Sequence, residues 1–424
     1  MKEITPQREI NATIAVPGSK SLTQRALIAA ALADGDSTLI GPLKSEDTEY
    51  TAGALQAMGI GVEEHGDRWL VHGRGGRLLT PENELYLGNN GTATRFLASV
   101  VALGHGDFTI SGDERMAERP IGPLMQALAG WGADIRSIHN TGCPPLSVTA
   151  HGLRGGATVL PEGKSSQYLS SLLLVAPYAE NPATLTVEGE VLSKPYVHMT
   201  LAVMRDFGIA AEADAGCNQF TIPQGRYRAR TYQVEGDASS ASYFWAAAAV
   251  TGGSVTVANV PAPSLQGDAV LADILGQMGC RVSKGKNGIT VSGAAELRGV
   301  EVDMSNCPDV VPTLAVVASF ATGRTIIRNI AHLRIKECDR LHVMASELAK
   351  LGVRTEEKAD TLIIDGQGRK APYHGATIST YNDHRIAMCF AVAGLMVPGV
   401  RIEGERCVAK SFPDFWERFQ LLYS

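Results

Sequence analysis

The chain has 424 residues, 45% of them hydrophobic and 19% charged, with a formal net charge of −6. This length exceeds one ordinary core and predicts two or three domains. The acidic balance argues against non-specific binding to nucleic acid or to a membrane surface, while leaving room for a local basic site that takes a small anion.

The opening stretch MKEITPQREINATIAV carries no apolar signal core. The longest apolar runs, such as 168-YLSSLLLVAPYA-179, have the length of a buried core helix, too short for a bilayer. The seven cysteines are dispersed, with no CxxC and no His at metal spacing. That usage suits a reducing compartment and predicts neither a structural zinc nor a thiol catalyst. A soluble protein of the cytoplasm is expected.

In chain order, residues 3–16 read as an orphan extended segment. Next, 17-PGSKSLTQRALIAAALADG-35 places Ser, Lys, Thr, Gln and Arg at the mouth of an almost wholly apolar helix. A helix start offers unpaired N–H groups and a positive dipole end, to which Lys20, Ser21 and Arg25 add donors suited to an anion. A capped buried helix with stray surface cations fits this stretch alone equally well.

The pattern returns five times. It is seen in 88-GNNGTATRFLASVVALGHGDFTISG-112, 163-GKSSQYLSSLLLVAPYAENPATLTVEG-189 and 236-GDASSASYFWAAAAVTGGSVTVAN-259, then in 305-SNCPDVVPTLAVVASFATGRTIIRN-329 and 381-YNDHRIAMCFAVAGLMVPGVRIEG-404. Each copy runs from a small-polar cluster through an apolar helix to a turn and a Thr/Val/Ile strand, at a period of 70–76 residues. A second marker keeps the same period: an amphipathic helix that ends at Gly and re-enters a strand, as in 55-LQAMGIGVEE-64 and 348-LAKLGVRTEE-357.

Helices apolar on every side are buried on every side, so in each domain they are expected to run through the middle with sheets outside. The fold expected is α/β: a two-domain inside-out α/β barrel of six βαβαββ-like units, three per domain, with buried parallel helices. The sixth unit stops at 413-PDFWERFQLLYS-424, after its second helix, and residues 3–16 are expected to complete it. The domains would then be 17–232, and 1–16 with 233–424.

Helices that run the same way bring their N-termini to the same end, so the polar clusters are expected to line one shared anionic pocket. Gly91 marks a close backbone approach, with Arg95 one turn on. Ser165, Ser166 and Gln167 add neutral donors, Asp309 opens the fifth helix, and Asp383, His384 and Arg385 open the sixth. The loops 115-RMAERP-120, 334-RIKECDR-340 and 407-CVAKSFPD-414 bring Arg119, Lys336, Glu337, Arg340 and Lys410. Arg suits bidentate recognition of carboxylate or phosphate, and Lys both pairs with anions and moves protons. A solvated surface is the ordinary explanation for any one of these cations, but not for a whole set at helix starts and inter-unit loops.

The motifs PGSKSLTQR, LGNNGTATR, RMAERPIGPL, KSSQYLSSLLL, SKPYVHMT, EGDASSASYF, RIKECDRL, YNDHRIAM and KSFPDF closely resemble those of the 5-enolpyruvylshikimate-3-phosphate synthases, in order and spacing, from about Val16 to Asp414. The resemblance implies transfer of the enolpyruvyl group of phosphoenolpyruvate to the 5-hydroxyl of shikimate 3-phosphate. It implies that Lys20, Arg119, Arg340, Arg385 and Lys410 hold phosphoenolpyruvate, with Gly91 lining its pocket. Lys20, Ser21, Arg25, Ser165, Ser166, Gln167, Ser193, Asp309 and Lys336 would bind shikimate 3-phosphate, with Tyr196 alongside. Asp309 would accept the 5-hydroxyl proton, and Glu337 with Lys20 would handle protons at the enolpyruvyl methylene. No metal or organic cofactor is called for, the partners are the two small substrates, and a monomer is expected.

The chain departs from the pattern at Asn90, where a small residue is common, at Phe96, where some members carry Pro, and at His332, where some use Asn. No role is carried onto His332. A sister family acting on a UDP-sugar shares the fold but uses a catalytic Cys in an Arg-rich loop of its N-terminal domain. Cys143 and Cys217 stand in no such loop.

Overall fold

A computed structural model of the protein describes residues 1–8 and 10–424; Glu9 lies outside the described residues. The chain divides into two compact units, one formed by Lys20–Val234 and the other by Met1–Ser19 with Glu235–Ser424.

Each unit is built on three helices buried along almost their whole length. Residues 20–234 contribute Lys20–Leu32, Gly91–Val101 and Ser166–Val175. The other unit contributes Ala238–Thr251, Val311–Ser319 and His384–Gly394. Their first residues follow one another at intervals of 71–75 residues, the period read from the sequence. Runs such as ALIAAAL and WAAAAV make this packing feasible, because Ala lets neighbouring backbones approach while paying no side-chain entropy. The amphipathic helices between them, such as Lys194–Asp206 and Arg340–Lys350, bury one face and expose the other.

Among the described residues six small sheets enclose these helices, and five share one plan. A short strand pairs in parallel with the strand that follows a buried helix, and an antiparallel hairpin completes the four. Thus Gly156–Leu160 lies parallel to Ala183–Val187, which pairs antiparallel with Gln219–Ile222, itself paired with Glu212–Ala213.

The N-terminal segment behaves differently from expectation. Lys2–Glu3 does complete the sixth sheet, pairing antiparallel with Arg401–Glu403 at Lys2↔Ile402. Asn11–Ile14 instead joins the fourth sheet, parallel to Ser254–Val257 with Ile14 opposite Val257. In exchange, Thr231–Gln233, which leads into the fourth buried helix, pairs in parallel with Asp34–Ile40 of the first sheet. At both passages between the units, the leading strand stays behind while the helix after it goes forward. Each sheet therefore still receives the parallel strand that its neighbours have.

One close approach recurs in three of the sheets. A Cβ on Gly73 would meet Ala30 O and Ala33 O at 2.4 Å, one on Gly293 would meet Ala248 O at 2.4 Å, and one on Gly366 would meet Ala318 O at 2.4 Å and Ala321 O at 2.3 Å. These strands cross the last turn of a buried helix. Two residues on, Gly75 N and Gly368 N donate to the helix-end carbonyls of Ala33 and Ala321 at 2.8 and 2.9 Å. Gly366→Ala is expected to cost about 1–3 kcal/mol through overpacking against backbone. Urea unfolding should show this as a lower midpoint with an unchanged slope.

Candidate active site

Within residues 20–234 the candidate residues gather at the starts of the buried helices. Lys20 Nζ pairs with Asp47 Oδ2 at 2.9 Å. The main-chain oxygen of Asp47 accepts from Asn90 Nδ2 at 2.5 Å, and Asn90 Oδ1 caps the next helix by accepting from Ala93 N at 2.9 Å. The side chain of Asn90 is thus committed to tying two helix starts together. One residue on, a Cβ at Gly91 would stand 2.4 Å from Arg119 Nη2 and 2.7 Å from Arg95 Nη1, so glycine is what allows two guanidinium groups to crowd that backbone. Arg119 bonds Asn89 Oδ1 at 2.9 Å, and its buried Nε has no partner. From the third helix start, Gln167 Nε2 reaches Thr92 Oγ1 at 3.0 Å.

Arg25 lies one turn inside the first helix and is only 2% exposed. Its guanidinium donates to Thr200 Oγ1 at 2.7 Å, Ser170 Oγ at 3.0 Å, Ser21 O at 3.0 Å and Tyr196 O at 3.3 Å, all neutral acceptors. It stacks over the rings of Phe96 and Tyr196. Phe96 therefore serves as the floor beneath Arg25. Burial pulls the guanidinium down to about 10. A buried cation surrounded by neutral dipoles is a seat for an anion, because an opposite charge recovers what desolvation costs. Ser165, the cap residue of the third buried helix, makes no capping bond with its hydroxyl. Ser193 caps the helix Lys194–Asp206 in a left-handed conformation, φ 56° and ψ 40°, which a non-glycine residue holds only under constraint from its surroundings.

The other unit carries a dense ion network. Arg340, 1% exposed, reaches Asp383 Oδ2 at 2.7 Å, Glu337 Oε2 at 2.9 Å and Asp309 Oδ1 at 3.2 Å. Arg385 Nη2 binds Asp309 Oδ2 at 2.6 Å, and Arg385 N donates to Asp383 Oδ1 at 2.9 Å. Asp383 thus caps the sixth buried helix while anchoring Arg340. The left-handed residues Tyr381 and Asn382 turn the chain so that it can do both. Burial pushes the Asp309 carboxyl up, but Arg385, Lys336 and Arg340 outweigh it and hold it well below the usual carboxylate range. Burial likewise pulls Arg340 down, and Asp383, Glu337 and Asp309 reverse the sign, so it stays charged. Lys410 is buried at the end of the turn Glu405–Lys410.

Comparison with known proteins gives this geometry a family. The sequence model of EPSP synthase (3-phosphoshikimate 1-carboxyvinyltransferase) matches residues 4–419. The chain belongs to the EPSP synthase family. A relative from Syntrophobacter fumaroxidans named 3-phosphoshikimate 1-carboxyvinyltransferase is 47% identical over 424 residues, covering all of both chains. One of the same name from Nostoc punctiforme is 44% identical, covering 97% of this chain and 96% of its own. Among solved structures, an EPSP synthase from Acinetobacter baumannii superposes with a TM-score of 0.83 at 30% identity, covering 99% of this chain and 97% of that one. The enolpyruvyl transferase NikO from Streptomyces tendae shares the fold, with a TM-score of 0.79 at 20% identity.

Within the EPSP synthase framework, the polar clusters read from the period do stand at helix starts, but their partners were not foreseen. Asp47 reads in sequence as one of several acids in 45-SEDTEY-50, at the acidic start of an amphipathic helix, and Asp383 as part of the polar cluster that opens the sixth buried helix. Nothing local shows that one holds Lys20 and the other Arg340. His332 is 6% exposed, and neither ring nitrogen has a hydrogen-bond partner. Burial, with help from Lys336, pushes its imidazole down to about 4, so it is neutral at neutral pH. The thiol of Cys338, beside Glu337, is pushed up by burial and by Asp383 and stays protonated. No helix is long and apolar enough to cross a membrane among the described residues.

Asp383→Ala is expected to remove about 3–5 kcal/mol of stability, because it leaves part of a buried guanidinium uncompensated. Differential scanning calorimetry at pH 7 measures the loss directly.

Proposed function

We propose that the chain transfers the enolpyruvyl group of phosphoenolpyruvate to the 5-hydroxyl of shikimate 3-phosphate, releasing inorganic phosphate. The observation that carries this reading is Asp309, a carboxylate at the head of a buried helix, held ionised by two buried arginines. It supplies in one place a base for a hydroxyl and cations for an anionic reaction partner.

In the addition step Asp309 takes the 5-hydroxyl proton as the oxygen attacks C2 of the enol, and Glu337, with Lys20, supplies a proton to the methylene carbon. In the elimination step that methyl carbon gives a proton back, the C2–O bond to phosphate breaks, and the double bond returns. Arg119, Arg340, Arg385, Lys410 and Lys20 hold phosphoenolpyruvate and stabilise the departing phosphate, with Gly91 as a backbone wall of its pocket. Arg25, Ser21, Ser165, Ser166, Gln167, Ser193 and Lys336 bind shikimate 3-phosphate, and Arg25, with its neutral shell, is the natural seat for an oxyanion of that substrate. Acting on two small anions, the enzyme needs no partner chain. We read it as a monomer of the cytoplasm, in keeping with its seven free thiols.

Phosphate release with the two substrates tests the reading directly. Asp309→Asn should cut kcat by about 100-fold or more while shikimate 3-phosphate still binds, as expected when a base is removed and its shape kept. Gly91→Ala should raise KM for phosphoenolpyruvate at unchanged melting temperature. Its methyl would displace Arg119, whereas the helix itself favours Ala. Calorimetric binding of shikimate 3-phosphate, beside steady-state kinetics, separates the two effects.

A further inference from the structure

Asp268 is a buried carboxylate that the scheme above leaves unused. It lies in the short turn Gly267–Ala269, is 3% exposed, and accepts a hydrogen bond from Ser239 Oγ. Ser239 belongs to the first turn of the buried helix Ala238–Thr251. One turn further, Ser242 Oγ meets Thr313 Oγ1 of the next buried helix at 3.0 Å. Asp309 stands one turn before Thr313. The contact therefore sets Asp268 and Asp309 at the same level, at the heads of two touching helices. Asp309 is the charge that acts most strongly on Asp268, followed by Arg385 from the head of the third helix.

A base clamped by arginines has a difficulty. Arg385 and Arg340 keep Asp309 ionised, but the same attraction makes it a poor acceptor for a hydroxyl proton. A like charge nearby raises proton affinity and corrects this. Resting on the transferase reading, we propose that Asp268 is a positioning residue whose negative charge, set beside Asp309 and opposite Arg385, makes Asp309 basic enough to take the 5-hydroxyl proton. Asp268 itself transfers no proton.

The groups that face Asp268 determine when it carries that charge. From the helix Ala238–Thr251 and its cap come Ser239, which donates, and Asp237, which repels. The turn Pro308–Val310 brings Asp309, preceded by Cys307, whose thiol is pushed far up by burial and by Asp268 and stays neutral. The helix His384–Gly394 brings Arg385, which attracts. Burial and Asp309 prevail, and the carboxyl is pushed up to about 6. Asp268 is thus neutral in mild acid and charged above pH 6, so Asp309 should be the weaker base on the acid side.

The test uses the full chain and Asp268→Asn, which keeps the shape and the acceptor for Ser239. With shikimate 3-phosphate and phosphoenolpyruvate, the parent kcat should rise several-fold through a midpoint near pH 6, because Asp309 becomes the stronger base as Asp268 ionises. In Asp268→Asn, kcat should stay low and flat between pH 5 and 8, with both KM values within about threefold of the parent, and Asp268→Glu should restore part of the rise. Because a carboxyl pushed up destabilises the folded state once it ionises, Asp268→Asn should melt no lower than the parent at pH 8. A second readout needs no turnover: the carbon-13 titration midpoint of the Asp268 carboxyl should fall in Asp309→Asn, where the repelling charge is gone. If the parent releases no phosphate from these substrates, the transferase reading fails, and the titration still decides whether the two carboxyls sense each other. An unshifted midpoint, or a kcat profile in Asp268→Asn that matches the parent, overturns the proposal.

Discussion

A helix buried along its whole length can present polar groups to water or ligand only at its ends. That constraint governs both units of this protein. The six helices that begin at Lys20, Gly91, Ser166, Ala238, Val311 and His384 have almost no exposed side. Their flanks are Ala, Leu, Val and Phe, and their first turns hold Ser, Thr, Asn, Asp, Lys and Arg. At three of the C-terminal ends, backbone closes directly onto the last carbonyls, at Gly73, Gly293 and Gly366, where no side chain would fit. The N-terminal ends, with their unpaired N–H groups and positive dipoles, are left for chemistry.

The two units solve the problem of buried charge in opposite ways. Around Arg25, residues 20–234 satisfy a guanidinium with hydroxyls and main-chain oxygens, which meets its hydrogen-bonding needs but leaves its charge uncompensated. Around Arg340, the other unit brings in three carboxylates, so charge is neutralised within the protein and each partner is oriented by several bonds. The first arrangement suits recognition of an anion that arrives from solution. The second suits groups whose protonation must be held in a defined state. Asp309 and Asp268 show the range available in one small region: three cations hold one far down, while burial and a neighbouring anion push the other up to about 6.

Much of this was legible in the sequence, and the reason is periodicity. Helix burial and the small-polar cluster before each helix recur six times and the Gly-terminated amphipathic helix five times, and that repetition turns weak local signals into an architecture. Five of the nine motifs that carry the family resemblance lie at those same helix starts, and the other four lie in the loops and amphipathic helices between them, so local sequence names both the family and the candidate residues.

What the sequence by itself determined was therefore what depends on neighbours along the chain: which segments are helices, which are wholly buried, where their polar ends fall, and which family they belong to. Only the tertiary structure decided pairings between residues far apart in sequence. Strand pairing sends Asn11–Ile14 to the fourth sheet and Thr231–Gln233 to the first, because a short strand follows whichever parallel edge is open beside it, not the helix next to it in sequence. Packing likewise chose Asp47 for Lys20, Asp383 for Arg340 and Ser239 for Asp268. A carboxylate in a sequence shows neither its burial nor its counter-charge. Both are set by distances of a few ångströms between helix ends, where the weak screening of the interior lets a single neighbour decide protonation.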